Sequence, residues 1–203
     1  IFLFHTLFAP QASGVYMPQM AYFLSGQADI PGLKAAWEEM LKRHAVLRTS
    51  VHWEERDQPL QVVHRTLQLP WEEFDWRGKD VEAELQALFS ANRARPFDLR
   101  KPPLFRVQLA RVADDQNILL LCHHHIILDG WSLALLLQEG LQTYGGGALP
   151  AVKPYGDYIR WLRKQDTHAA QQFWQDRLRG TPGPSIAFGS VGQEPSFKRS
   201  DWP

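Results

Sequence analysis

The chain has 203 residues, 44% hydrophobic and 22% charged, with 22 basic side chains balanced by 22 acidic ones. That length and apolar content suffice for one or two cores, while zero formal charge without a basic stripe or long charge run excludes a nucleic-acid partner. The single cysteine, Cys122, excludes an internal disulfide and suits a reducing, cytoplasmic compartment. No apolar run reaches the about 18 residues of a spanning helix, so no membrane is expected as a partner. The chain opens Ile-Phe-Leu-Phe-His, without methionine or a signal-like segment, and reads as cut from something larger.

The apolar opening, Ile1 to Phe8, suits a short helix or strand, and Gln11-Ala12-Ser13-Gly14 a loop. Tyr16, Met20, Tyr22 and Leu24 predict a strand running to Gly26, with Pro18 implying an edge or an irregular start. Asp29 and Pro31 mark a helix start, and Leu33, Trp37, Met40 and Leu41 form one apolar face. Residues 43–49, Arg-His-Ala-Val-Leu-Arg-Thr, pass into a strand through Val51 and Trp53, with residues 60–64 as its hairpin partner. Val81, Leu85, Leu88 and Phe89 mark another helix. Prolines 96, 102 and 103 stiffen the loop before a strand over 105–112, and Asp114-Asp115-Gln116-Asn117 turns that strand into the next. From Ile118 the chain is almost purely apolar, which predicts a buried strand. Leu133, Leu136, Leu137 and Leu141 then recur at helical spacing. Gly145-Gly146-Gly147 is a breaker and not a phosphate loop, because no Gly-Lys-Ser/Thr follows. Tyr158, Trp161, Leu162, Phe173, Trp174 and Leu178 predict one or two helices over 155–178, and a linker composition begins after Gly180. The expected fold is an α+β two-layer sandwich, a mixed β-sheet covered by helices.

Residues 121–132, Leu-Cys-His-His-His-Ile-Ile-Leu-Asp-Gly-Trp-Ser, carry the chemistry. Imidazole titrates at about 6.5 and is easily tuned to accept or steer a proton near neutrality. On an extended strand His123 and His125 would face one side and His124 the other. An isolated strand histidine is ordinarily a satisfied core residue, but three in succession before Asp-Gly are costly to bury without purpose. Asp129 also suits a helix N-cap, and Gly130 a tight turn where a side chain would obstruct the backbone or a ligand. Zinc on His123, His125 and Asp129 competes as a reading, yet the Cys pairs or His-Glu-x-x-His helix that accompany such sites are absent, so no metal is assigned. No Gly-x-Ser-x-Gly elbow is present, and Cys122 lies inside the apolar run, where packing is its expected role. The lack of a nucleophile points to direct attack of one bound substrate on another.

The pattern His-His-x-x-x-Asp-Gly, as His124, His125, Asp129 and Gly130, resembles the signature of nonribosomal peptide synthetase condensation domains, shared with the acyltransferase superfamily that includes chloramphenicol acetyltransferase. Further blocks occur in family order: Leu3-Phe4-His5 with Gly14-Val15-Tyr16, the Arg43 to Thr49 segment, Phe97-Asp98-Leu99 with Pro103-Leu104-Phe105-Arg106, and Tyr155-Gly156-Asp157-Tyr158 through Trp161. Asp129-Gly130-Trp131-Ser132 and the first two blocks favour condensation over epimerization, and heterocyclizing relatives replace the histidines with an Asp pair. The family joins two lobes in a V with the active site between them. The resemblance therefore assigns residues 1–180 to the N-terminal lobe and 181–203 to a linker or the start of the connection to a missing C-terminal lobe. Without that lobe the fragment is expected to be inactive.

The resemblance implies amide-bond formation between substrates held as thioesters on the phosphopantetheine arms of donor and acceptor carrier proteins, alongside neighbouring synthetase domains and with no cofactor bound directly. His125 would take the central, catalytic role, orienting the acceptor amine or accepting its proton. His124 would point away and act structurally. Asp129 would pair with Arg48 or Arg43 as a scaffold anion, while both arginines, Arg43 above all, also suit a solvated helix end. Gly130 would leave a path for the pantetheine arm, and Trp131 and Ser132 would line the tunnel, with core packing equally open for Trp131. An acyl-coenzyme A-dependent acyltransferase, an epimerization domain, and an inactive lobe that only docks a carrier protein stand as alternatives.

Overall fold

Four aspartates start four helices of the computed structural model, which describes residues 2–8 and 14–181. After α1 (Phe2–Phe8), Asp29 caps α2 (Ile30–Arg43), Asp80 caps α3 (Val81–Arg93), and Asp129 caps α4 (Gly130–Tyr144). Following α5 (Tyr155–Leu162), Asp166 caps α6 (Thr167–Leu178). Each of these carboxylates accepts a backbone N–H from the residue three further on, satisfying a donor that the first helical turn otherwise leaves unpaired. The chain divides into two compact units, Ile1–Tyr158 and Ile159–Pro203. The predicted loop at 11–13 and nearly all of the predicted linker, from residue 182, lie outside the described residues.

In the first unit, β1 (Gln19–Ser25), β6 (Gln116–His123), β5 (Phe105–Ala113) and β4 (Trp71–Asp75) form one sheet in the order β1-β6-β5-β4. The first two pairings are antiparallel and β5 with β4 is parallel, so the sheet is mixed, as expected. A separate hairpin pairs β2 (Thr49–His52) with β3 (Leu60–Val63). Because side chains alternate along β6, Leu119 and Leu121 join Trp37, Met40 and Leu41 of α2 and Leu133 and Leu136 of α4 in the main core. Ile118 and Leu120 face the other way, into a smaller cluster with Trp76, Leu85 and Ala110 that α3 covers. The predicted apolar face of α2 is buried at all four positions. α4 packs on α2 at Gly140, where a Cβ would make an ordinary contact 3.7 Å from Met40 Cγ.

Two local expectations give way. The first strand begins at Gln19, not near Tyr16, because Tyr16 adopts a left-handed backbone with φ +59° and Pro18 has no N–H for the ladder. The edge placement implied by Pro18 does hold. Strand β4 is unforeseen from the sequence. Its Trp-Glu-Glu-Phe-Asp carries three carboxylates, and it is a strand because the outer edge of β5 offers it a parallel ladder. None of the described helices is long and apolar enough to cross a membrane.

Candidate active site

Strand β6 is hydrogen-bonded along both edges, and it ends at His123. The chain leaves it in a turn held by three main-chain bonds. His124 N–H donates to Leu104 O at 2.9 Å, His125 N–H to Tyr16 O at 2.7 Å, and Ile127 N–H to His124 O at 3.1 Å. The alternation expected of a continuous strand therefore stops at His123, two residues early, although the rings still separate. His123 and His125 meet edge-on with centroids 6.2 Å apart. His124, 1% exposed, turns elsewhere: Nδ1 accepts the Ile126 N–H at 3.1 Å, and Nε2 meets Thr6 Oγ1 of α1 at 3.1 Å.

These environments assign charge. Burial pushes His123 down to about 4, helped by repulsion from His125 and opposed by a backbone bond at Leu128. Burial likewise pushes His124 down to about 4, with His123 and His125 adding to the effect. Both rings are thus neutral near pH 7. His125 is half-buried, its ring stacked on Phe2 at 5.3 Å and 7°. Its Nδ1 is sealed from solvent and has no hydrogen-bond partner among the described residues. Cys122 is buried, and its burial pushes the thiol upward even though Arg106 lies beside it. A reactive thiolate would require the opposite shift. Among the described residues no group of three or more His, Cys, Asp or Glu side chains is placed to hold a metal ion.

Asp129 departs from its expected pairing. It bonds neither Arg48 nor Arg43; Oδ1 accepts Ser132 N–H at 2.8 Å and Ser132 Oγ–H at 2.6 Å. These bonds hold its carboxyl below the usual range. A partner three residues away on a forming helix wins over one that needs a long loop closed. Arg48 instead spends its guanidinium on carbonyls: Nε donates to Leu41 O at 2.9 Å and Nη2 to Lys42 O at 3.2 Å, while Nη1 reaches His64 O and, at 3.0 Å, Arg65 O. It closes the C-terminal end of α2 and ties it to the end of β3. Arg43 Nε donates to Glu139 Oε2 at 2.6 Å, where His44 Nε2 also binds at 2.9 Å. Burial pushes the Glu139 carboxyl up, but the bonds from Arg43 and His44 prevail and hold it low. The solvated end expected for Arg43 is replaced by this tie from α2 to α4.

Gly130 opens α4 with open space where a Cβ would stand and without a left-handed backbone. The backbone reason for glycine is thereby removed. Trp131 is 84% exposed, which discards core packing for it. Ser132 is exposed and committed to the Asp129 cap. Sequence reasoning misses Phe2, Thr6 and Tyr16, which touch the histidine turn, and Glu139, which gathers Arg43 and His44. The need of the adjacent Arg43 and His44 for an acceptor is a signal that points toward Glu139. The contacts of α1 carry no local signal.

A mixed-sheet lobe in which an inner strand runs out into His-His-x-x-x-Asp-Gly has the chloramphenicol acetyltransferase-like fold. The family model for the condensation domain matches residues 2–189, and the chain belongs to that family. A linear gramicidin synthase of Brevibacillus parabrevis is 37% identical over 209 residues, which cover 96% of this chain and 4% of that protein. Bacitracin synthase 1 of Bacillus licheniformis is 34% identical over 206 residues, with 97% and 4% covered. The chain thus spans a small fraction of the length of these relatives. Among solved structures, the starter condensation domain of rhizomide synthetase superposes with a TM-score of 0.76 at 22% identity, over 90% of this chain and 46% of that one, a likeness of fold. The tallysomycin biosynthesis protein TlmII gives 0.72 at 26% identity, over 87% and 45%.

Proposed function

We propose that this lobe supplies the histidine turn of a peptide-bond-forming condensation site in nonribosomal peptide synthesis. The acceptor's amine attacks the donor's acyl or peptidyl thioester carbonyl, with both reactants carried on phosphopantetheine arms of carrier proteins. A C–N bond forms and the C–S bond breaks, and the proton lost by the amine leaves with the released thiol. His125 hydrogen-bonds and orients the amine and stabilises the charge that develops on it. An α-amine titrates at about 8, so a strong base is not needed. His124 holds the turn from behind, and Gly130 leaves a path for the arm. The second wall comes from a C-terminal lobe, and the fragment alone does not turn over.

The observation that carries this reading is the division of labour between adjacent rings. His124 is sealed with both nitrogens engaged, whereas His125 is half-buried, within two residues of the strand end and four before the Asp129 cap. The test joins the chain to a C-terminal condensation lobe and follows dipeptidyl-thioester formation from loaded carrier proteins. His125→Ala should slow it roughly 100-fold or more, the scale of a positioned acid–base group; the parent rate in that variant would reject the assignment. Turnover with acyl-coenzyme A in place of the donor carrier would move the lobe to the acyltransferases that use diffusible substrates.

A further inference from the structure

A working histidine is ordinarily aimed by the bond its second ring nitrogen makes. Among the described residues His125 Nδ1 is sealed without such a partner. Its ring is held by flat contacts instead, Phe2 stacked at 5.3 Å and His123 edge-on at 6.2 Å. Phe2 comes from α1, and α1 is joined to the turn at three more points. Tyr16 packs edge-on to Phe2, with centroids 4.9 Å apart and planes at 80°. The Tyr16 hydroxyl meets His5 Nδ1 at 2.5 Å while its carbonyl accepts the His125 N–H at 2.7 Å. Thr6 Oγ1 meets His124 Nε2. Tyr16 makes these contacts at φ +59°, a conformation that a bulky aromatic residue rarely adopts and that its surroundings must hold.

We propose that Phe2 and Tyr16 are positioning residues for His125, Phe2 as the face against which the imidazole is aimed and Tyr16 as the anchor that fixes α1 to the histidine turn. This rests on the role assigned to His125 above and extends it to a helix far away in sequence. An aromatic stack fixes the plane of the ring without engaging Nε2, which stays available to the reacting amine, whereas a hydrogen bond at Nδ1 would polarise the ring as well.

The test uses the two-lobed condensation domain with loaded carrier proteins, together with the ring nitrogen resonances of His125. Phe2 is 39% exposed, so its truncation leaves the fold standing. Phe2→Ala should lower kcat about 10- to 100-fold, the usual consequence of misaiming a reacting group, with KM for the carriers unchanged and the His125 signal shifted. Phe2→Tyr keeps the stack and should restore both. Tyr16→Gly accepts the left-handed backbone without strain, retaining the carbonyl while removing the ring, and should act in the direction of Phe2→Ala. Parent kcat in Phe2→Ala overturns the inference, as does a lowered kcat with an unmoved ring signal. If His125→Ala is itself fully active, the proposed role of His125 falls and takes the inference with it. A crippled His125→Ala beside an active Phe2→Ala sinks the inference alone.

Discussion

Gly130 separates reasons of fold from reasons of substrate. Among the described residues nothing beyond its own chain neighbours and helix backbone lies within 4 Å of where its Cβ would be, and at the first position of α4 alanine is the better helix former. Gly130→Ala should therefore unfold at the same denaturant concentration as the parent or slightly higher, while dipeptidyl-thioester formation in the two-lobed domain falls at least several-fold through obstruction of the arm. A destabilised Gly130→Ala protein, or a fully active one, would remove the glycine from the substrate path. Asp129 shows the limit of inference at this scale. Its capping role is open in the sequence because Asp followed by helical spacing is a local pattern. Its partner is not, because two arginines in another motif say nothing about which acceptors they find first. Their acceptors are Glu139 and main-chain carbonyls, one set by the register of α4 and the others by where α2 ends.

Elements are legible where their periodicity is strong. The face of α2, the β2–β3 hairpin and the apolar run of β6 each carry a pattern that pairing or the core then satisfies. Strand β4 is not legible, since its Trp-Glu-Glu-Phe-Asp has strand character only beside the edge of β5. Junctions between elements are equally hidden, and Arg48 is the clearest. One planar guanidinium serves carbonyls of residues 41, 42, 64 and 65, a set that the point charge of lysine does not reproduce. Arg48→Lys should cost about 1–3 kcal/mol of unfolding free energy through the carbonyls left unpaired, measured by urea titration. A change within a few tenths of a kcal/mol would show that water replaces the guanidinium there.

For the molecule as a whole, the buried histidines couple stability to pH. His123 and His124 titrate at about 4 in the folded lobe, against about 6.5 in an unfolded chain. The unfolded chain thus binds more protons between those values, so stability is complete above about 6.5 and is lost as pH falls toward 4. Each ring should remove about 2 kcal/mol between about pH 7 and pH 5, read from denaturant midpoints at the two values. An unchanged midpoint would mean that the rings are wetter than their burial implies. The lobe's two grips on His125 differ in another respect. From below, the ring rides on a strand laddered on both sides, the arrangement that yields last when a protein opens locally; from above, it is covered by a seven-residue helix with no buried residue. Fraying of that helix would release the ring without disturbing the sheet, so under the role proposed for His125 the site would idle through an excursion far cheaper than denaturation, with the lobe still folded.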